Sequence, residues 1–220
     1  LPLWEELSER RGGPVLELGC GTGRVALHLA RRGHEVIGLD RDPELLAALE
    51  SRGAGLPVQS LEADARSFDL ASPVSLVLAP THLLQLLADS GERAESLRSI
   101  AASLRPGGLL AAAIIEAMPD ADGAPPPLPD VREVDGSVYS SLAVEAAVGP
   151  GEIVVRRLRQ AVSPDGSLTE EPDEVRISTF TADTLEAEAE AFGLVPAGRR
   201  VIPETDLHVG SLVVLLEKAS

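Results

Sequence analysis

The sequence predicts an α/β chain: a mostly parallel sheet with helices on both faces, and a small antiparallel sheet inserted late. Three observations predict it. Short apolar runs alternate with amphipathic stretches up to about residue 116, the pattern of repeated strand–helix units. A glycine turn, Gly19–Gly23, joins the first apolar run to the next amphipathic stretch. After Glu116 a Pro-rich stretch, "PDADGAPPPLPD", opens a region of consecutive β-type runs separated by "GPG" and "SPDG".

The elements follow in order. Leu3, Trp4 and Leu7 have helical spacing, and Gly12–Gly13 ends that helix. Val15–Leu18 is a short buried strand, residues 24–32 a helix stopped by Gly33, and Glu35–Leu39 the second strand. Pro43 opens a helix at its first turn and Gly53 closes it. Val58–Glu62 and Ser75–Leu78 are the third and fourth strands, followed by helices near 82–88 and 92–104. "RPGG" then turns the chain into a fifth strand, Leu109–Ile115. Val138–Val148, Glu152–Val162 and Glu174–Phe180 read as a three-stranded meander. A helix at 182–192 and a hairpin of Val195–Ile202 with Val209–Glu217 close the chain. The expected division is a core of residues 1–116 and 182–220, with 117–181 as an inserted lid.

Composition narrows the function. The 220 residues are 44% hydrophobic but only 2% aromatic, so the core is aliphatic. A formal charge of −16 repels phosphate backbones and anionic lipid, so neither nucleic acid nor a membrane surface is the expected partner. No apolar run is long enough to span a bilayer, and no signal peptide is visible. One cysteine, Cys20, allows no internal disulfide and fits a reducing, cytoplasmic setting. The chain opens at Leu1 without a methionine, so residues upstream are expected.

A strand, a glycine turn and a helix N-terminus together cradle a ligand, because glycine lets backbone approach closely and helix N–H groups favour negative charge. Asp40, about 20 residues on at the end of the second strand, stands where a carboxylate can accept both hydroxyls of a ribose. Two cofactor classes compete. A dinucleotide site wants a third glycine where Arg24 stands. Glu17, at the strand end, has no use to a pyrophosphate but suits an amino-acid ammonium.

"ELGCGTG" at 17–23 resembles motif I of the class I S-adenosylmethionine-dependent methyltransferases. Further landmarks follow in order: Asp40 in "GLDRD", Asp64 and Ala65 in "EADAR", "SLVLAPTHLLQLL" through the fourth strand, and "LRPGGLLAAAI" into the fifth. The resemblance implies a Rossmann-like seven-stranded sheet of order 3-2-1-4-5-7-6 with its last strand antiparallel. It implies S-adenosyl-L-methionine as cofactor, contacted by Glu17, Leu18, Gly19, Cys20, Gly21, Asp40, Arg41, Asp64, Ala65 and Ala79, with Asp40 on the ribose and Asp64 beside the adenine amino group. The insertion resembles, in layout, the β lid of small-molecule N-methyltransferases. The implied reaction is methyl transfer to a small-molecule nitrogen or oxygen by a monomer or homodimer without a metal. A nucleotide-binding oxidoreductase and a non-catalytic cofactor-binding protein are the alternatives.

Four residues are candidates for the chemistry. His82 follows the fourth strand, on the carboxyl edge where open α/β sheets bind ligands. His208 precedes the last strand, with Asp206 two residues away to orient an imidazole. Each histidine is either a base or a satisfied turn residue. Glu116 ends the fifth strand and either meets substrate or starts the loop. Tyr139, the lone tyrosine, is either roof packing or a pocket hydroxyl. The basic run Arg156, Arg157 and Arg159 is assigned to pairing with acids, and Cys20 and His28 to local packing.

Overall fold

A computed structural model describes residues 1–116, 129–205 and 210–219. The chain falls into two compact units: Leu1–Glu116 with Phe180–Ser220, and Ala117–Thr179.

The first unit is built on β1 (Val15–Leu18), β2 (Val36–Asp40), β3 (Val58–Glu62), β4 (Val74–Ala79) and β5 (Leu104–Ile114), with β10 (Leu194–Ile202) and β11 (Ser211–Lys218) from the end of the chain. The sheet order is β10-β11-β5-β4-β1-β2-β3, which is the expected 3-2-1-4-5-7-6 read from the other edge. β11 pairs antiparallel with β5, while β5, β4, β1, β2 and β3 run parallel.

Strand alternation divides the aliphatic core into two layers. Along β4 and β5, Leu76, Leu78, Leu109, Ala111 and Ala113 pack on one face with Trp4 and Leu7 of α1 (Pro2–Arg11), Leu27 and Leu29 of α2 (Ala26–Ala30), and Leu46 and Leu49 of α3 (Pro43–Arg52). Val77, Ala79, Leu110, Ala112 and Ile114 face the other way, onto Leu97 and Ile100 of α4 (Ser90–Ser103) and Leu185 of α5 (Ala182–Glu190). All six positions of β4 are buried, as a central parallel strand covered on both faces requires.

Three elements of the first unit differ most from expectation. The helix expected at 24–32 is only Ala26–Ala30. The helix expected at 82–88 is a single 3₁₀ turn, Leu83–Gln85, because Thr81 and His82 before it both sit at positive φ, +59° and +61°. β5 starts at Leu104 rather than Leu109: Leu104 pairs with Val74 and Leu109 with Leu76, so "RPGG" is a bulge within the strand.

The second unit is a sheet of four strands, not three, in the order β6 (Asp130–Val134), β7 (Ser137–Gly149), β8 (Glu152–Val162) and β9 (Leu168–Ser178). The missed strand joins β7 through Asp135–Gly136, at φ +50° and +76°, a two-residue hairpin turn of the type that Asp-Gly favours. β9 begins six residues before the expected start at Glu174, inside an acidic stretch that looks like a loop. There Asp173 pairs with Arg159 of β8, and Glu174 with Arg156. These cross-strand pairs allow acids in a ladder, and Pro172 is tolerated because β9 is an edge strand. The basic run thus meets acids at Arg156 and Arg159, whereas Arg157 donates to the Ser141 hydroxyl.

Candidate functional site

The parallel strands bring the β1–α2 loop, the end of β2, the segment after β3 and the exit of β4 to one carboxyl edge. The glycine loop lies at its centre. Leu18 is fully buried, and Gly19, Gly21 and Gly23 all have positive φ. A side chain at Gly19 would meet Leu83 at 2.8 Å, so the loop touches the turn that follows β4. A side chain at Gly21 would meet nothing within 4 Å, so that stretch of backbone faces open space.

Asp40 ends β2 and grips the loop directly. One carboxylate oxygen accepts the Gly21 N–H at 2.8 Å and the other accepts the Asp42 N–H at 3.1 Å. Each oxygen has two acceptor positions, so each retains one for a ligand hydroxyl. From the far side Arg52, at the end of α3, donates to the Thr22 carbonyl and hydroxyl at 2.8 and 3.0 Å. Cys20 is 5% exposed; its thiol, pushed up to about 12 by burial, packs under the loop near Gly38.

Glu17 is 3% exposed and accepts the Ala26 N–H at 2.7 Å, capping α2. This explains why the helix starts at Ala26 rather than Arg24. Burial pushes the Glu17 carboxyl up to about 8, against a lowering contribution from the Ala26 N–H. The group therefore favours its neutral form in the folded state. Stability linked to it is fully present below the unfolded value of about 4.5 and is lost as pH rises through about 8. Glu17→Gln keeps the acceptor and removes the charge. Its melting temperature relative to the parent should rise between pH 5 and pH 9, by an amount on the order of a few kcal/mol of stability. Parallel melting curves across that range, measured by calorimetry, would refute this account.

Asp64 lies just beyond β3, where the Ala63 N–H bonds the Asp40 carbonyl at 3.0 Å. Its carboxylate is held at about 2, chiefly by the Arg66 guanidinium, with Arg41 contributing attraction. Ala65 is half-buried beside it, Arg41 is exposed, and Ala79 is buried at the end of β4.

The four candidates for chemistry are placed differently. His82 Nε2 lies 2.9 Å from Ser211 Oγ at the start of β11, a link across three strands. Gln85, fully buried in the same turn, bonds both the N–H and the carbonyl of Ile115 at 2.7 and 2.9 Å. Glu116 accepts the Ala182 N–H at 2.7 Å and so holds the start of α5. Tyr139 is 50% exposed on β7 in the second unit, opposite Arg132 and Ala161. There it lines a groove of about 530 Å³ with Arg132, Arg159 and Glu171. His208 and Asp206 lie outside the described residues. Among the described residues no cluster of His, Cys, Asp or Glu could hold a metal ion, and no helix is long and apolar enough to cross a membrane.

Sequence reasoning missed Arg52, Arg66, Gln85 and Ser211. Arg66 carried a signal, an opposite charge two residues from Asp64; the other three act across 30 residues or more.

Residues 15–108 match the family model of a methyltransferase domain. The matched stretch is less than half of the chain and lies within the first unit. Among curated proteins the chain is similar to the cypemycin N-terminal methyltransferase of a Streptomyces species, 34% identical over 97 residues, 44% of this chain and 40% of that protein. It is also similar to the putative methyltransferase YqeM of Bacillus subtilis, 31% identical over 111 residues, 49% of this chain and 44% of that protein. The chain thus spans less than half the length of these relatives. Among solved structures, the sugar N-methyltransferase KedS8 of a Streptoalloteichus species aligns with a TM-score of 0.76 at 22% identity, over 99% of this chain and 85% of that one. CalS10, an amino pentose methyltransferase of Micromonospora echinaspora solved with S-adenosylmethionine bound, aligns at 0.70 and 19% identity, over 99% and 89%. At these identities the likeness establishes the fold.

Proposed function

We propose that this protein transfers the methyl group of S-adenosyl-L-methionine to a nitrogen or oxygen of a small-molecule acceptor. The observation that carries the reading is the glycine loop gripped by Asp40, with open space over Gly21 and two acceptor positions left on the carboxylate. Asp40 would hold the ribose diol, Asp64 and the Ala65 backbone the adenine, and Glu17, ionised by the arriving ammonium, the amino end. Leu18, Gly19, Cys20 and Gly21 would line the cofactor, with Arg41 and Ala79 bordering it. Nitrogen is the favoured acceptor, because several structures that share the fold are described as N-methyltransferases.

When bound, the cofactor supplies an electrophilic methyl group on a sulfonium. The protein's own tasks are then to align an acceptor and exclude water. A base is needed only where the acceptor must lose a proton. His82 is the first candidate, with His208 and Glu116 as further acceptor contacts. The setting is cytoplasmic, as a monomer or homodimer.

S-adenosylhomocysteine at 100 times its dissociation constant should raise stability by about 2.7 kcal/mol, read as a thermal shift, while NAD should give none. No shift with S-adenosylhomocysteine would remove the reading. His82→Ala should leave that shift in place and lower turnover on the true acceptor by about 10²–10⁴-fold if the imidazole takes the proton. Unchanged turnover would leave positioning and desolvation alone.

A further inference from the structure

We infer that Arg66, itself held by Glu92, is a positioning residue that aims Asp64 at a 6-amino purine and so makes the cofactor site select adenine over 6-oxo purines. The inference rests on the methyltransferase reading and goes beyond it, because it assigns base discrimination to two residues outside the glycine loop.

The geometry is that of a clamp. Asp64 Oδ1 accepts the Arg66 N–H at 2.8 Å and its Nε–H at 2.9 Å, which uses both acceptor positions of that oxygen. Oδ2 accepts only Arg66 Nη2 at 2.6 Å, which leaves one acceptor position. A bidentate guanidinium–carboxylate pair fixes the plane of the carboxylate as well as its charge. The carboxylate stays reachable, at 38% side-chain exposure.

Arg66 is fixed in turn. Its Nη1 donates to Glu92 at 2.6 Å, the other oxygen of Glu92 accepts the Ala88 N–H at 2.8 Å, and the Arg66 carbonyl accepts the Ser99 hydroxyl at 3.2 Å. Glu92 and Ser99 both belong to α4, so a rigid helix sets the direction of the remaining acceptor. The Ser67 N–H closes the turn on the Asp64 carbonyl at 2.9 Å, and the Ala63–Asp40 bond ties the segment to the ribose-binding strand end.

An exocyclic amine donates to an ionised carboxylate; a 6-oxo purine sets a repelled acceptor at that position and carries its donor on N1 instead, one ring position away from where the fixed acceptor points. A buried or aligned polar partner left unmatched is what gives such sites their discrimination. A free aspartate would offer hydrated acceptors in many directions and discriminate less.

The test is calorimetric binding of S-adenosylhomocysteine and of its deaminated 6-oxo analogue, S-inosylhomocysteine, to the parent, Arg66→Met and Glu92→Gln. The parent should prefer the amino compound about 10- to 100-fold. Arg66→Met should lose at least fivefold of that ratio. Glu92→Gln, which keeps the Ala88 bond, should lose less, and serves should Arg66→Met fail to fold. A merely structural role would weaken both ligands alike and leave the ratio unchanged, and an unchanged ratio in both variants overturns the inference while the methyltransferase reading stands. If the parent does not bind S-adenosylhomocysteine at all, both fall together.

Discussion

Asp40→Ala should weaken S-adenosylhomocysteine binding by about a hundredfold, roughly 3 kcal/mol, the largest binding effect of any single substitution in the site. Two losses combine. The ribose diol loses charge-assisted bonds to the carboxylate. The loop also loses the bond from Gly21 N–H that holds its open backbone in place. Asp40→Asn should cost less, because its amide oxygen can still accept one of the two backbone N–H groups at Gly21 and Asp42. Calorimetric titration of the three proteins decides it. If Asp40→Ala binds within about threefold of the parent, a loss below about 0.7 kcal/mol, the diol is held elsewhere.

Gly23→Ala should give the largest loss of stability within the loop, about 2–4 kcal/mol, or roughly 5–15 °C in melting temperature. At φ +88° a Cβ is disfavoured on backbone grounds alone. It would also lie 2.3 Å from a Leu49 methyl and 2.9 Å from Leu27 Cγ, in the packed layer beneath α2 and α3. Gly21→Ala is the control. Its φ is also positive, at +53°, but the added methyl meets nothing within 4 Å. It should cost only about 1 kcal/mol of stability while impairing ligand binding, since the methyl would stand in the open face. Differential scanning calorimetry separates the two glycines. Equal losses at both positions would mean that backbone conformation, not packing against Leu49, governs the loop.

These effects bear on how much could be read in advance. The core strands were legible because they are short apolar runs punctuated by glycine and proline, and their order because the motifs along them resemble those of a known family. The glycine loop and the place of Asp40 at the end of the second strand were legible because their signals are local: Glu17, the three glycines and Asp40 sit within 24 residues. The second sheet was read less well. Asp135–Gly136 is a hairpin signal that went unused, and the acids of β9 look like a loop until Arg156 and Arg159 stand opposite them.

The sequence by itself determined the α/β class and the glycine loop between the first strand and helix, since each depends on periodicity or on neighbours along the chain; the order of the core strands came from the resemblance to a known family. Only the tertiary structure decided what each polar side chain holds. It made Glu17 the cap of α2, turned Glu116 onto the start of α5, joined His82 to Ser211 and clamped Asp64 between Arg66 and the helix that carries Glu92. A carboxylate or an imidazole takes the nearest donor or acceptor that burial leaves it, and the chain position of that partner ranges here from two residues away to 129. Periodicity carries no record of such pairings; they exist only once the strands have brought their ends together.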